Sequence, residues 1–163
     1  MKKHTYFDSY DGPGWPEPDW LAAYFLTPAG RRKFFELGND NWGLEAYGVD
    51  GTEQLPLANR IDISLDIQGD PQWGVLLSYH RMSEVDGEAY CSKGDLRRLR
   101  QWVRTMHDDL MPVGLFIPFD MAWEAIKEFI ERDGALPKSI EWIADRDLPS
   151  GTFPDPVARR TRR

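Results

Sequence analysis

Residues 60 to 68, Arg-Ile-Asp-Ile-Ser-Leu-Asp-Ile-Gln, alternate apolar and polar without a break. A period of two places Ile61, Ile63, Leu65 and Ile67 on one side of a strand and Asp62, Ser64 and Asp66 on the other. Residues 73 to 81 repeat the pattern with Trp73, Val75, Leu77 and Tyr79. With Gly69-Asp70-Pro71 as the turn, the two runs predict a hairpin pairing Ile67 with Trp73, Leu65 with Val75, Ile63 with Leu77 and Ile61 with Tyr79. One face of that hairpin must be covered by something apolar. The other, with Asp62, Ser64 and Asp66 beside Leu76, Ser78 and His80, is polar enough to face water.

The cover is supplied further along. Phe119, Ala122, Trp123, Ile126, Phe129 and Ile130 recur at helical spacing, with Asp120, Glu124, Lys127, Glu128 and Glu131 on the opposite side. Pro118 suits the start of that helix, and Asp120 and Glu124 oppose its positive end. Gly134 suits a left-handed stop, and Pro137 forbids continuation. Ser139 to Ile143 then reads as a returning strand.

The same stretch carries a family resemblance. Ile117-Pro118, Ala122, Ala125, Glu128-Phe129, Gly134, Pro137 and Glu141-Trp142 follow the spacing of the C-terminal signature of the Imm1 immunity proteins, and Gly134-Ala135-Leu136-Pro137 keeps its Gly-x-x-Pro turn. The chain resembles that family over about a sixth of its length. The resemblance implies a bacterial, cytoplasmic immunity protein of a polymorphic toxin system that binds a cognate toxin, of the nucleic-acid deaminase class, and neutralises it.

The remaining elements are weaker. Tyr6, Phe7, Tyr10 and Trp15 stand among Gly12, Pro13, Gly14, Pro16 and Pro18, which predicts an irregular aromatic arm packed on the body. Asp19 caps a first helix through Trp20, Leu21, Tyr24 and Phe25. A second runs from Pro28 through Phe34, Phe35 and Leu37 to Gly38, with Thr27 as its cap. Residues 42 to 49 are strand-like but carry two glycines, as an edge or bulged strand would. After a turn at Asp86-Gly87 comes a short strand over 88 to 92. Ser92-Lys93-Gly94-Asp95 reads as a capping box, opening a helix that buries Leu96, Leu99, Trp102, Val103 and Met106 and ends near Asp108-Asp109 and Pro112. Val113 to Ile117 reads as extended. The order of elements predicts an α+β fold, an antiparallel sheet with helices packed mainly on one face. At 163 residues one domain is expected over 1–155, followed by an arginine-rich tail over 156–163.

No phosphate loop, dinucleotide fingerprint, HExxH, nucleophile elbow or CxxC occurs. His4, His80 and His107 are isolated in sequence, so no metal and no cofactor is expected. The one cysteine, Cys91, falls in a strand and reads as an inert buried thiol. Trp102, Trp123 and Trp142 read as core residues first. No secretory signal or membrane-spanning run is visible, and a cytoplasmic location is expected.

The net charge of −7 is more negative still without the arginines at 159, 160, 162 and 163. Such a body repels nucleic acid and attracts basic partners, so no direct nucleic-acid partner is expected. An inhibitor needs neither cofactor nor catalytic group, which agrees with the resemblance and with a monomer, or a heterodimer with the toxin. The expected contact is the acidic sheet face and its adjoining turn: Asp62, Asp66, Glu84, Asp86 and Glu88. The rival reading is a small acidic enzyme or small-ligand-binding domain with a Trp-rich pocket.

Overall fold

The computed structural model of the chain describes residues 1–7, 10–36 and 39–154. The end of the second expected helix at Leu37-Gly38 and the boundary and arginine tail at 155–163 lie outside them. The described elements are β1 (Lys2–Tyr6), β2 (Gly12–Pro13), α1 (Pro18–Leu26), α2 (Pro28–Phe34), β3 (Asn41–Tyr47), β4 (Asp62–Asp70), β5 (Gly74–Met82), β6 (Gly87–Ser92), β7 (Trp102–Arg104), β8 (Leu110–Pro112), α3 (Phe119–Glu131) and β9 (Trp142–Ala144). Seven strands form one antiparallel sheet in the order β2-β1-β3-β4-β5-β6-β9, and β7-β8 form a separate ribbon. This is the α+β architecture that the alternating pattern demands.

Cross-strand partners divide the sheet into two faces. Thr5, Leu44 and Leu65 line up with Tyr79, and Trp42, Ile67 and Leu77 line up in the next apolar row. This front face is covered by α1, α2 and α3, whose Leu21, Phe25, Phe34, Phe119, Ala122, Trp123, Ile126 and Phe129 complete one continuous core. Ridding that apolar surface of water is the main force holding the layers together. Trp123 is 4% exposed and stacks on Phe25 at 5.7 Å between ring centroids.

Several expectations are corrected. The N-terminal arm is not irregular: Lys2–Tyr6 adds a strand outside β3, so β3 is interior rather than an edge. Trp15 secures the arm by donating its indole N–H to the Glu45 carbonyl (2.9 Å). The β4–β5 hairpin slips from the expected register, so that Ile67 faces Leu77 and Leu65 faces Tyr79. The slip is by an even number of residues, which leaves every side chain on its expected face. It arises because Gly69 is not a turn residue. It continues the strand beneath Phe34, whose ring a Cβ at 69 would strike. The turn falls instead at 71–73, closed by the Asp70 carboxylate, which accepts from the N–H groups of Gln72 and Trp73 (both 2.9 Å).

The helix expected after Asp95 is absent. A single 3-10 turn, Leu96–Arg98, gives way to the β7–β8 ribbon. Asp95 caps that turn through the Arg97 N–H (3.1 Å), and the Gly114 backbone, bonded to Gly94 (N to O, 3.0 Å), packs so closely on Asp95 and Leu99 that a Cβ at 114 would strike them. Thr105 makes the ribbon's turn, its hydroxyl accepting from the Asp109 N–H (3.1 Å), and Asp108 takes φ 69°. Trp102 and Met106 are therefore exposed, not core. Val113–Leu115 is a 3-10 turn rather than extended. Behind the sheet, Leu76, Cys91, Leu99, Leu115 and Phe116 form a second core. The ribbon segment thus covers the β5–β6–β9 end of the face expected to be open, and Leu76 is buried. Met106 N–H, donating to the buried Asp40 carboxylate (2.8 Å), ties the ribbon back to β3.

The Gly-x-x-Pro turn after α3 is held at four points. Gly134 takes φ 86°, and its carbonyl accepts from the Tyr79 hydroxyl (3.0 Å). The Pro137 carbonyl accepts from the Trp142 indole (2.7 Å). The Glu128 carboxylate accepts from the N–H groups of Lys138 and Ser139 and from Arg132, each at 2.9 Å. Because of this clamp the returning strand begins only at Trp142. Burial alone would raise the Glu128 pKa, but these donors outweigh it and hold the group down at about 2.

Trp123→Ala is expected to lose roughly 3–5 kcal/mol through the cavity it leaves, seen as a lower denaturant midpoint. An unchanged midpoint would contradict the assigned core. Glu128→Gln is expected to cost about 1–3 kcal/mol at pH 7 by weakening charged hydrogen bonds. A depressed folded pKa gives stabilisation that is complete above the ordinary carboxylate value and lost as pH falls through about 2. The deficit should therefore shrink at pH 3; a deficit that is the same at both pH values would contradict the clamp.

Candidate functional site

The ribbon covers one end of the back face and leaves the other open. There β1, β3, β4 and β5 present His4, Glu45, Ser64 and His80 in one row. Tyr6, Gly43, Asp66 and Ser78 stand in the next row, and Lys2, Tyr47, Asp62 and Met82 in the row on the other side. Gly43 leaves room between Asp66 and Tyr6, so their side chains approach across the strand. The Tyr47 hydroxyl donates to Glu45, and that bond, followed by burial, pushes the phenol up.

The expected site residues divide into three groups. Asp62 and Asp66 share the open back face, separated by Ser64. Asp62 is already engaged: Arg60 forks onto it (both 3.0 Å) and the Gly48 N–H donates to it (3.0 Å). Glu84 and Asp86 lie in the exposed turn between β5 and β6. Glu88 is the exception. It pairs with Arg81 and so points to the front side of the sheet, beyond the helical cover, near the Arg81–Asp50 ion pair. The alternation over 88 to 92 did not reveal this, because the face of a short strand depends on a register that only the folded hairpin defines.

Sequence reasoning missed the apolar member of this group. Val85, at the hairpin tip between Glu84 and Asp86, is 84% exposed, and Met82 behind it is 49% exposed. Among the described residues Glu84, Asp86 and Glu88 form no ion pair, so their charge is open to a partner. A polar hairpin turn with one β-branched residue is an ordinary sequence feature. Only its exposure marks it.

Ser64, His80 and Asp66 come together, and their geometry decides what they can do. Ser64 Oγ lies 3.4 Å from His80 Nδ1, and Asp66 Oδ2 lies 3.8 Å from the same nitrogen. A nucleophile–base–acid relay needs serine and carboxylate on opposite ring nitrogens. This trio is a polar contact on an open sheet, not a relay. Cys91 is buried beside Asp145, and burial first, with the Asp145 charge second, pushes its thiol up to about 12, which keeps it protonated and inert. Among the described residues no cluster of His, Cys, Asp and Glu is placed to hold a metal ion, and no helix is long and apolar enough to cross a membrane.

Asp66 keeps half of its side-chain surface open, yet the protein packed around the carboxylate pushes its pKa up, against the pull of His80. A raised folded pKa means that the ionised form costs stability at neutral pH and costs none once the group is protonated in both states. Asp66→Asn is therefore expected to raise the unfolding free energy at pH 7 by about a few tenths of a kcal/mol, read as a slightly higher denaturant midpoint and kept small by solvent screening. The gain should vanish at pH 3. A variant that is less stable at pH 7 would show that the His80 contact dominates.

Comparison with known proteins adds the family. A (+)-copalyl diphosphate synthase 3, chloroplastic, from Marrubium vulgare is 28% identical over 113 residues, which is 67% of this chain. The chain spans only 13% of that synthase's length. No solved structure matches. The profile described as immunity protein Imm1 matches residues 36–144, from the end of the helix pair through the central sheet, the ribbon, α3 and β9. More than half of the chain is matched, with the Gly134 to Pro137 turn and its Glu128 clamp inside, and the chain belongs to the Imm1 family of immunity proteins.

Proposed function

We propose that this chain binds a cognate bacterial toxin of a polymorphic system, a nucleic-acid deaminase, in the cytoplasm and silences it by occluding its substrate site. Membership of the immunity family supports a toxin partner. The observation that carries the contact surface is the β5–β6 hairpin tip: one exposed valine between two carboxylates that form no ion pair among the described residues, with Met82 behind. Tight interfaces are built around a few apolar anchors inside a polar rim. An enzyme that acts on nucleic acid presents a basic channel, and an acidic rim speeds and orients encounter with it. In this proposal Glu84, Val85 and Asp86 form the centre, Asp62 and Glu88 flank it on the two sides of the sheet, and Asp66 marks its far edge.

The rival, a small acidic enzyme or ligand binder, would rest on Ser64, His80 and Asp66, whose arrangement on a single ring nitrogen does not support it. Occlusion of a lethal enzyme calls for nanomolar affinity or better, about −12 kcal/mol.

Toxin activity titrated with this protein, well above the dissociation constant, should fall linearly to zero at a fixed small-integer ratio. Silencing by catalytic amounts, or a covalent change on the toxin, would contradict occlusion. Val85→Ala is expected to speed dissociation roughly tenfold. Glu84→Gln with Asp86→Asn should slow association at low salt and converge with the parent at high salt. Rates unchanged in both variants would remove the hairpin tip from the interface.

A further inference from the structure

Opposite in charge to the hairpin tip is a cleft between α2, the β4–β5 turn and the first turn of α3. It holds about 480 Å³ and is lined chiefly by Arg31, Arg32, Phe35, Trp73, Phe119 and Asp120. Most arginines among the described residues are neutralised within the chain: Arg60 by Asp62, Arg81 by Asp50, Arg97 and Arg98 by Asp95, Arg104 by Asp108, and Arg132 by Glu128. Arg31 and Arg32, like Arg100 and Arg146, are not, and Arg31 and Arg32 share one cleft. Asp120, at the rim, pairs with neither.

Arg31 is held ready. Its Nε donates to the Phe25 carbonyl (2.6 Å), and its guanidinium lies 4.9 Å from the Phe119 ring centroid. Its terminal nitrogens have no partner among the described residues. Arg32, one residue on, is exposed and without any partner among them. At the other wall Trp73 is backed by Arg98, whose guanidinium lies 5.2 Å from its ring centroid and is paired with Asp95. A fixed guanidinium loses little freedom on binding, and its planar fork matches the two oxygens of a carboxylate, with the second arginine at the same cleft adding a positive charge.

We propose that this cleft docks an acidic peptide segment in which a carboxylate side chain stands next to an aromatic one. The carboxylate is taken by Arg31 and Arg32, and the ring lies against Phe35, Trp73 and Phe119. The identity of the peptide's owner, the toxin, rests on the immunity reading above; the chemistry of the cleft does not. A toxin that engages both places presents basic groups to the hairpin tip and an acidic, aromatic segment here, which makes the pairing specific to one orientation.

The test uses the full chain, isotope-labelled, and N-acetyl-Glu-Phe-Asp-amide as the probe, with backbone amide shifts as the readout. Saturable shifts are expected at Arg32, Gln72, Trp73, Gly74 and Asp120. Arg32→Gln should weaken binding about five-fold, the weight of one good ion pair. Since the Arg32 side chain makes no hydrogen bond or ion pair among the described residues, the rest of the spectrum should be unchanged. The neutral peptide N-acetyl-Gln-Phe-Asn-amide should leave those signals in place. The proposal is overturned if the neutral peptide binds as well, if inorganic phosphate alone produces the same shifts at the same concentration, if the shifts fall elsewhere, or if Arg32→Gln binds equally. No toxin is present, so failure here leaves occlusion standing, and failure of occlusion leaves this result standing.

Discussion

A sheet whose inward positions are apolar on every central strand must be covered on that side, and this requirement organises the rest of the molecule. Leu44, Leu65, Ile67, Val75 and Leu77 are fully buried, and all three helices are used to cover them. The period of two then dictates what lies opposite. With the helices spent on the front, the back face of β1, β3, β4 and β5 receives only what a short ribbon can reach. The uncovered half carries Glu45, Asp62, Ser64, Asp66 and His80. The open polar surface follows from one-sided packing rather than from a built pocket.

The Imm1 signature acquires a physical meaning in this frame. Glu128, Gly134, Pro137 and Trp142 are engaged within the fold. They fix the reversal by which α3 hands the chain to β9: a carboxylate across two N–H groups, a left-handed glycine, and two carbonyls each taken by an aromatic side chain from the sheet. Each removes a backbone group that the turn would otherwise leave unpaired. Such a device serves the fold whatever partner is bound; the proposed contact draws on other residues, at the hairpin tip and the open edge of the sheet.

The central hairpin and α3 were legible in the sequence because each depends on a local period, and even the mistaken register kept every side chain on its face. What failed was governed by contacts distant in sequence. Lys2–Tyr6 reads as an arm until β3 offers it an edge. The segment after Asp95 has helical spacing, but the close packing of the Gly114 backbone on Asp95 and Leu99 overrides that propensity. Within the candidate site, the acidic residues were visible as residues, and Asp62 and Asp66 do share a face. Glu88 could not be assigned a side without the pairing to Arg81, and Val85 gains its meaning only from being exposed.

The two proposed contacts, an acidic hairpin tip and a basic aromatic cleft, would together hold the chain in one orientation on one partner. The most direct measurement is backbone hydrogen exchange on this chain, alone and in complex with the cognate toxin. Slowed exchange at residues 82–88, the adjoining open edge of the sheet and the cleft turn at 71–74, with the amides of α1 and of α3 beyond its first turn unchanged, is the result this account predicts. Protection on the helical layer instead, with the hairpin tip exchanging as in the free chain, would contradict it.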